Sequence, residues 1–339
     1  MYERLDIADF LPKSQEGVLL DVRSPAEYAS GHIPWAVSFP LFDDAERAEI
    51  GTIYKQQGNE LAVKRGLEIV GPKMATMFEQ AKLLSGGNTL YVHCWRGGMR
   101  SGSVAEFLHM MGLSVVTLVG GYKAYRKEVV NTFLKPWRYA VVGGKTGSGK
   151  TAVLHQLRQM GEQVIDLEKL ARHKGSAFGA IGEGPQPSSE QFSNELHLIF
   201  SRMDLAKTVW IEDESIMIGK VHVPSEVFLA YRKAPLYVLE VDEAARMKQL
   251  LSDYGKADVA LIIECFRRIE RRLGGQHLQR ALDFVENGQA EEAIKVALQY
   301  YDRAYEHDLE RRTGMPIILL NELGSSPAKI ASKLMALQP

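Results

Sequence analysis

The chain has 339 residues, 45% of them hydrophobic and 24% charged, an ordinary balance for a globular protein of about two domains. With 41 Lys and Arg against 42 Asp and Glu, it has no uniformly basic coat, so a nucleic-acid partner would need a local basic patch on a neutral body. Cys94 and Cys265 stand in no CxxC spacing, which argues against a disulfide framework or a cysteine zinc site. Without a signal-peptide pattern or a membrane-length apolar run, a cytoplasmic location with no membrane partner is expected.

The first half alternates strand, loop and helix. Val18–Val22 reads as a buried parallel strand, Ser24-Pro25 breaks it, and Ala26–Ser30 reads as a helical turn. Leu90–His93 is a second strand with Cys94 at its end. Trp95-Arg96-Gly97-Gly98-Met99-Arg100 follows, then a helix from Ser101 that Gly112 stops. Val115–Val119 is a third strand, leading to Gly120-Gly121-Tyr122.

A cysteine between a strand end and a helix start sits where open α/β sheets bind ligands. The two glycines let backbone N–H groups turn inward as an anion nest, and the following helix adds its positive end. Arg96 and Arg100 add two full charges. Each of these favours a thiolate nucleophile at Cys94. The alternative is a buried structural cysteine, which needs neither the arginines nor the glycine loop.

Leu19–Pro40, Cys94–Ser101 and Val116–Tyr122 together resemble the signature segments of rhodanese-type sulfurtransferase domains, which carry sulfur or selenium on the loop cysteine. The common sulfurtransferase loop places its arginine five positions after the cysteine. Here Arg100 follows Cys94 by six, the spacing of Cdc25-type and tyrosine phosphatases. The longer loop suggests a phosphate-like donor.

Pro136-Trp137-Arg138 opens a second unit, giving domains over 1–135 and 136–339. Arg138–Val142 reads as a strand and Ala152–Met160 as a helix. Between them Gly144-Lys145-Thr146-Gly147-Ser148-Gly149-Lys150-Thr151 fits the P-loop pattern. The backbone through Gly144, Gly147 and Gly149 would cradle a di- or triphosphate, with Lys150 neutralising it and Thr151 able to hold Mg²⁺. Further strands are expected at Gln163–Leu167, Thr208–Asp213, Pro235–Val241 and Pro316–Leu320, with helices including Ser189–Ala206 and Ala290–Arg311. The fold class is therefore α/β: a rhodanese-like domain, then a parallel-sheet P-loop domain with a helical C-terminal region. Glu212 and Asp213 close a strand resembling Walker B, where an acid meets a metal or its water. A solvated acidic loop is the alternative. The stretch Asp166–Gly179, with Asp166, Arg172 and His173, has the polar and glycine density of a functional loop.

The order of parts resembles the tRNA 2-selenouridine synthase family over nearly the whole chain. The shared motifs are Cys94-x-Arg96-Gly97-Gly98-x-Arg100-Ser101, Gly120–Ala124, the P-loop, Asp166–Gly179, Glu212–Ser215, and Tyr300, Tyr301, Asp302 and Tyr305. The resemblance implies conversion of wobble 2-thiouridine, as in tRNAs for Lys, Glu and Gln, to 2-selenouridine. Selenophosphate would be the donor, and an S-geranyl intermediate would be made from geranyl diphosphate. It implies Cys94 as selenium carrier, an S-selanylcysteine, with Arg96 and Arg100 on the selenophosphate anion, and a selenophosphate-supplying enzyme as partner.

The P-loop is expected to hold the diphosphate of geranyl diphosphate, with ATP in a kinase-like or adenylating step as the other occupant. Two further function classes stay open: a phosphatase or sulfurtransferase with a nucleotide-binding regulatory domain, and a P-loop kinase whose rhodanese unit only binds a partner. For tRNA, Arg267, Arg268, Arg271 and Arg272 are the densest basic run. Read as one helix, they pair four apart into a ridge along a phosphate backbone. A lid over the P-loop and a solvated face are equal alternatives.

Overall fold

The computed structural model describes residues 2–254, 257–321 and 324–338. It divides into two compact units, Met1–Thr132 with Ser193–Leu198, and Phe133–Phe192 with Ile199–Pro339.

The first unit is built on five parallel strands, β1 (Glu3–Leu5), β2 (Val18–Asp21), β3 (Val37–Ser38), β4 (Leu90–His93) and β5 (Val115–Leu118), in the order β1-β5-β4-β2-β3. All four residues of β4 and of β5 are buried, as strands covered on both faces are. Leu20, Val92, Val104 and Leu108 share one core with Cys94. The helix after the cysteine loop spans Met99–Met110, two residues ahead of the expected start, and Gly112 beyond it has φ +88°. Three helices, Asp44–Gln57, Asn59–Val70 and Met74–Ser85, fill the stretch before β4.

The second unit has its own five-stranded parallel sheet: β6 (Arg138–Gly144), β7 (Gln163–Ile165), β8 (Thr208–Glu212), β11 (Leu236–Glu240) and β12 (Ile317–Asn321), between which a short antiparallel pair, β9 (Met217–Ile218) and β10 (Val221–His222), intervenes in sequence. The order β12-β11-β6-β8-β7 puts β6, which feeds the glycine loop, at the centre. The strand expected over Gln163–Leu167 is shorter, because Asp166 caps a new helix, Leu167–Ala171, by accepting from Lys169 N at 2.8 Å. The helix expected over Ser189–Ala206 ends at Phe200.

Helices Glu243–Tyr254, Val259–Arg268, Gly275–Glu286 and Ala290–Glu310 form a helical region with a separate apolar core around Phe178, Cys265, Phe266 and Ala297. The arginine run is not one helix. Val259–Arg268 ends, Ile269 turns out of helical geometry at φ −101° and ψ 7°, and Glu270–Leu273 is a separate turn. The four-apart pairing of Arg267 with Arg271, and of Arg268 with Arg272, on a continuous helix is thereby corrected. No described helix is long and apolar enough to cross a membrane.

Candidate functional site

Cys94 is the first residue beyond β4 and is 3% exposed. Its carbonyl accepts from Tyr122 N at 2.8 Å, and the Trp95 carbonyl accepts from Lys123 N at 2.9 Å. The N-terminal N–H groups of helix Gly121–Phe133 thus tie down the loop. Gly97 (φ +63°) and Gly121 (φ +60°) meet at this seam, and a Cβ on Gly97 would lie 2.5 Å from the Leu118 carbonyl. Only glycine allows that approach. Cys94 Sγ lies 3.2 Å from Ser101 Oγ, in the first turn of the next helix.

The two arginines are placed differently. Arg96 is exposed. Arg100 is half-buried and forks onto Glu27, at 2.5 and 3.1 Å. Glu27 also accepts from Ser24 N, which fixes it in the capping box of helix Pro25–Ser30. The charge that sequence reasoning assigned wholly to a bound anion is therefore shared with a carboxylate that the spacing did not reveal.

Behind the loop, Arg23 and Asp21 are fully buried and joined through Arg23 Nη2 and Asp21 Oδ2 at 2.6 Å. The guanidinium lies 3.8 Å from the centre of the Tyr122 ring. Burial pushes the Asp21 carboxyl up, but His93 and the Arg23 fork outweigh it and leave it below its ordinary value. His93 is fully buried, with Nε2 3.8 Å from Asp21 Oδ2, and burial holds its pKa below the ordinary value against the pull of Asp21.

In the second unit, Gly144, Gly147 and Gly149 all have positive φ, and the loop runs from β6 into helix Lys150–Gln159. Lys150 Nζ donates to the Gly144 carbonyl at 3.0 Å, folded over the nest it would share with a phosphate. Arg246, 4% exposed, donates to the Thr146 carbonyl at 3.2 Å while forking onto Asp302 at 2.8 and 2.7 Å. That pair holds the loop from outside it, and Asp302 belongs to the tyrosine-rich cluster seen in the sequence.

The loop opens into a cavity of about 920 Å³ lined by Lys150, Thr151, Asp166, Glu168, Asp213 and Glu214, among others. Thr151 Oγ1 donates to Glu168 Oε2 at 3.4 Å, and Glu168 N donates to Glu212 Oε1 at 2.6 Å. Burial, then mutual repulsion, pushes Glu212 well up, and burial with the neighbouring Glu168 takes Glu214 to about 8. Asp213 is engaged by Arg312 and lies 3.9 Å from Arg232. The acid of the β8 end that lines the cavity alongside Asp213 is Glu214. Sequence reasoning named Glu212 and Asp213 and missed Glu168 and Glu214. Both lay inside quoted motifs, and only the fold shows which of several adjacent acids face inward.

Among the described residues, no group of three or more His, Cys, Asp or Glu could hold a metal ion. Thr151 and Glu168 still offer the hard oxygen donors that Mg²⁺ takes when phosphate and water complete its shell. Glu212 Oε2, buried without a hydrogen-bond partner, adds an oxygen behind them.

Asp166 lines the cavity but is committed to its helix cap and to His155 Nε2 at 3.1 Å. Arg172, the one non-glycine at positive φ among the described residues, caps that helix at its other end, and His173 is buried against Gly179 and Gly219. Neither lines the cavity. Arg267, Arg268, Arg271 and Arg272 are all exposed. Arg268 pairs with Glu264 at 2.6 Å, whereas Arg272 lines the phosphate cavity.

A parallel sheet ending in a cysteine loop, followed by a parallel sheet ending in a phosphate loop, defines a rhodanese-like domain joined to a P-loop domain. Family models agree: a rhodanese-like domain matches residues 6–128, and the tRNA 2-selenouridine synthase AAA domain matches residues 137–322. Relatives named tRNA 2-selenouridine synthase include those of Shewanella denitrificans, 31% identical over 87% of this chain and 89% of its own, and Shewanella frigidimarina, 32% identical over 90% and 94%. That of Cupriavidus necator is 34% identical over 91% and 93%. The chain belongs to the tRNA 2-selenouridine synthase family.

Proposed function

We propose that this protein replaces the sulfur of wobble 2-thiouridine in tRNA with selenium. Substrates would be tRNAs such as those for Lys, Glu and Gln, and selenium would come from selenophosphate made by a partner enzyme. The observation that carries the reading is the pairing, in one chain of this family, of the Cys94 loop with an open phosphate cavity. A sulfurtransferase acting alone has no use for the second site.

The two sites divide the chemistry. Oxygen and sulfur at C2 of a pyrimidine are poor leaving groups, and alkylation makes the sulfur a good one. The phosphate loop seats the diphosphate of geranyl diphosphate, Lys150 offsets its charge, and Thr151 with Glu168 would hold Mg²⁺. Bound there, the ion would supply charge neutralisation to the departing diphosphate. The 2-thio sulfur forms a bond to the geranyl carbon, the carbon–oxygen bond to diphosphate breaks, and the N3 proton leaves the base. At the other site Arg96 and Arg100 would recognise the selenophosphate anion, whose selenium forms a bond to C2 as the carbon–sulfur bond to geranylthiol breaks; Cys94 Sγ then takes the phosphoryl group from selenium, and water releases it as phosphate.

The test is the modified-nucleoside profile of tRNA from cells lacking the protein. The expected result is loss of 2-selenouridine with 2-thiouridine retained. Unchanged 2-selenouridine would overturn the reading.

A further inference from the structure

The second unit contains another cavity, of about 170 Å³, bordered by the apolar core of its helical region. It shares Thr146, Ser176, Leu250, Tyr254 and Tyr301 with the phosphate cavity, and Thr146 belongs to the phosphate loop itself. Its own walls are hydrocarbon: Phe178, Phe266, Val285, Ala293 and Ala297 among them.

One helix face connects the two spaces. Residues four apart on Ala290–Glu310 lie on one stripe. Along it, Ala293 and Ala297 line only the apolar cavity, Tyr301 lines both, and Tyr305 lines only the phosphate cavity. From Tyr301 back to Ala293 the helix rises about 12 Å. Tyr301 has its hydroxyl oxygen occupied by Ala177 N at 2.7 Å, so its ring is fixed between the two spaces. A nucleoside would bring ring nitrogens and hydroxyls needing polar partners, and these walls offer none beyond the shared mouth. A linear hydrocarbon ending in a diphosphate matches both halves.

We propose that this cavity binds the hydrocarbon chain of the diphosphate seated on the phosphate loop, and that Ala293 and Ala297 set the chain length accepted. The inference rests on the diphosphate reading given under Proposed function. Both alanines are buried, and replacing either methyl with a larger group removes chain space without touching the phosphate loop.

The test measures binding of inorganic pyrophosphate and of dimethylallyl, geranyl and farnesyl diphosphates to the full chain, with Mg²⁺. Wild type is expected to bind geranyl diphosphate at least roughly tenfold more tightly than pyrophosphate, since each methylene buried contributes about fourfold. Ala297→Leu should lose that advantage, keep pyrophosphate affinity and favour dimethylallyl diphosphate. Val285→Ala, which enlarges the cavity and serves if Ala297→Leu folds poorly, should shift preference toward farnesyl diphosphate. Equal affinity of wild type for pyrophosphate and geranyl diphosphate, or an unchanged chain-length profile in folded variants, would overturn the cavity assignment and leave the diphosphate reading standing. Failure of wild type to bind either ligand would overturn the diphosphate reading and the cavity assignment with it.

Discussion

Cys94 and Glu214 occupy opposite kinds of setting, and each makes its own prediction. Cys94 sits under a glycine seam with Ser101 Oγ 3.2 Å from its sulfur. Cys94→Ser keeps that shape and removes the sulfur that the proposed selenium step uses. In the purified protein it should abolish 2-selenouridine formation while S-geranyl-2-thiouridine accumulates, because alkylation of the substrate sulfur uses no enzyme thiol. Nucleoside mass spectrometry reads both products. Glu214 is a carboxylate raised to about 8 by burial and by Glu168. The folded protein therefore keeps a proton that the unfolded carboxylate, with its ordinary value of 4.5, releases. Its contribution to stability is complete below about pH 4.5 and is lost as pH rises through about 8. Glu214→Gln should flatten the decline in melting temperature across that window relative to wild type, and an identical slope would show that the group is not protonated. At this scale the sequence made Cys94, Lys150 and Thr151 legible, because glycine spacing and strand–helix context mark them locally. Glu27, opposite Arg100, and Asp302, opposite Arg246, carry no such mark: their partners lie 73 and 56 residues away.

The element that most changes its meaning is the arginine run. Gly and Pro are the usual signs of a helix end, and neither stands at Ile269, where the helix breaks. After the break, Arg268 belongs to an exposed pair with Glu264, worth little on its own, while Arg272 belongs to the phosphate cavity. Arg272→Ala is expected to weaken pyrophosphate binding several-fold, and Arg268→Ala to leave it unchanged, by calorimetric titration. If the segment instead follows tRNA, each substitution would lower tRNA affinity and flatten the dependence of log K on log salt by roughly 0.7–0.9. The inner strands of both sheets, by contrast, were legible to within about two residues, since buried strands of parallel sheets are largely apolar runs, whereas the short, exposed edge strands β1 and β3 and the β9–β10 pair were not. The three helices between Asp44 and Ser85 were not, because they join no motif and their apolar faces are weak in pattern.

At the scale of the whole molecule, the change of motif at Pro136-Trp137-Arg138 suggested a boundary after residue 135, whereas the compact units divide after Thr132. The segment Ser193–Leu198, which clusters with the first unit, was not legible, because only tertiary contacts assign it: Asn194 Nδ2 donates to the His32 carbonyl at 2.9 Å and to the Tyr122 hydroxyl at 2.8 Å. The proposed two-site chemistry likewise draws on the whole chain: the phosphate loop would serve alkylation and the cysteine loop selenation. Lys150→Ala separates them. Loss of this charge should slow geranylation by roughly 10²–10³-fold, the usual effect of removing one preorganised electrostatic contact to a transition state. The deciding measurement is 2-selenouridine formation by the folded, tRNA-binding Lys150→Ala protein given selenophosphate and tRNA already carrying S-geranyl-2-thiouridine. Selenation at close to the wild-type rate is expected. Failure to selenate that substrate would place the phosphate loop in the selenium step and contradict the division.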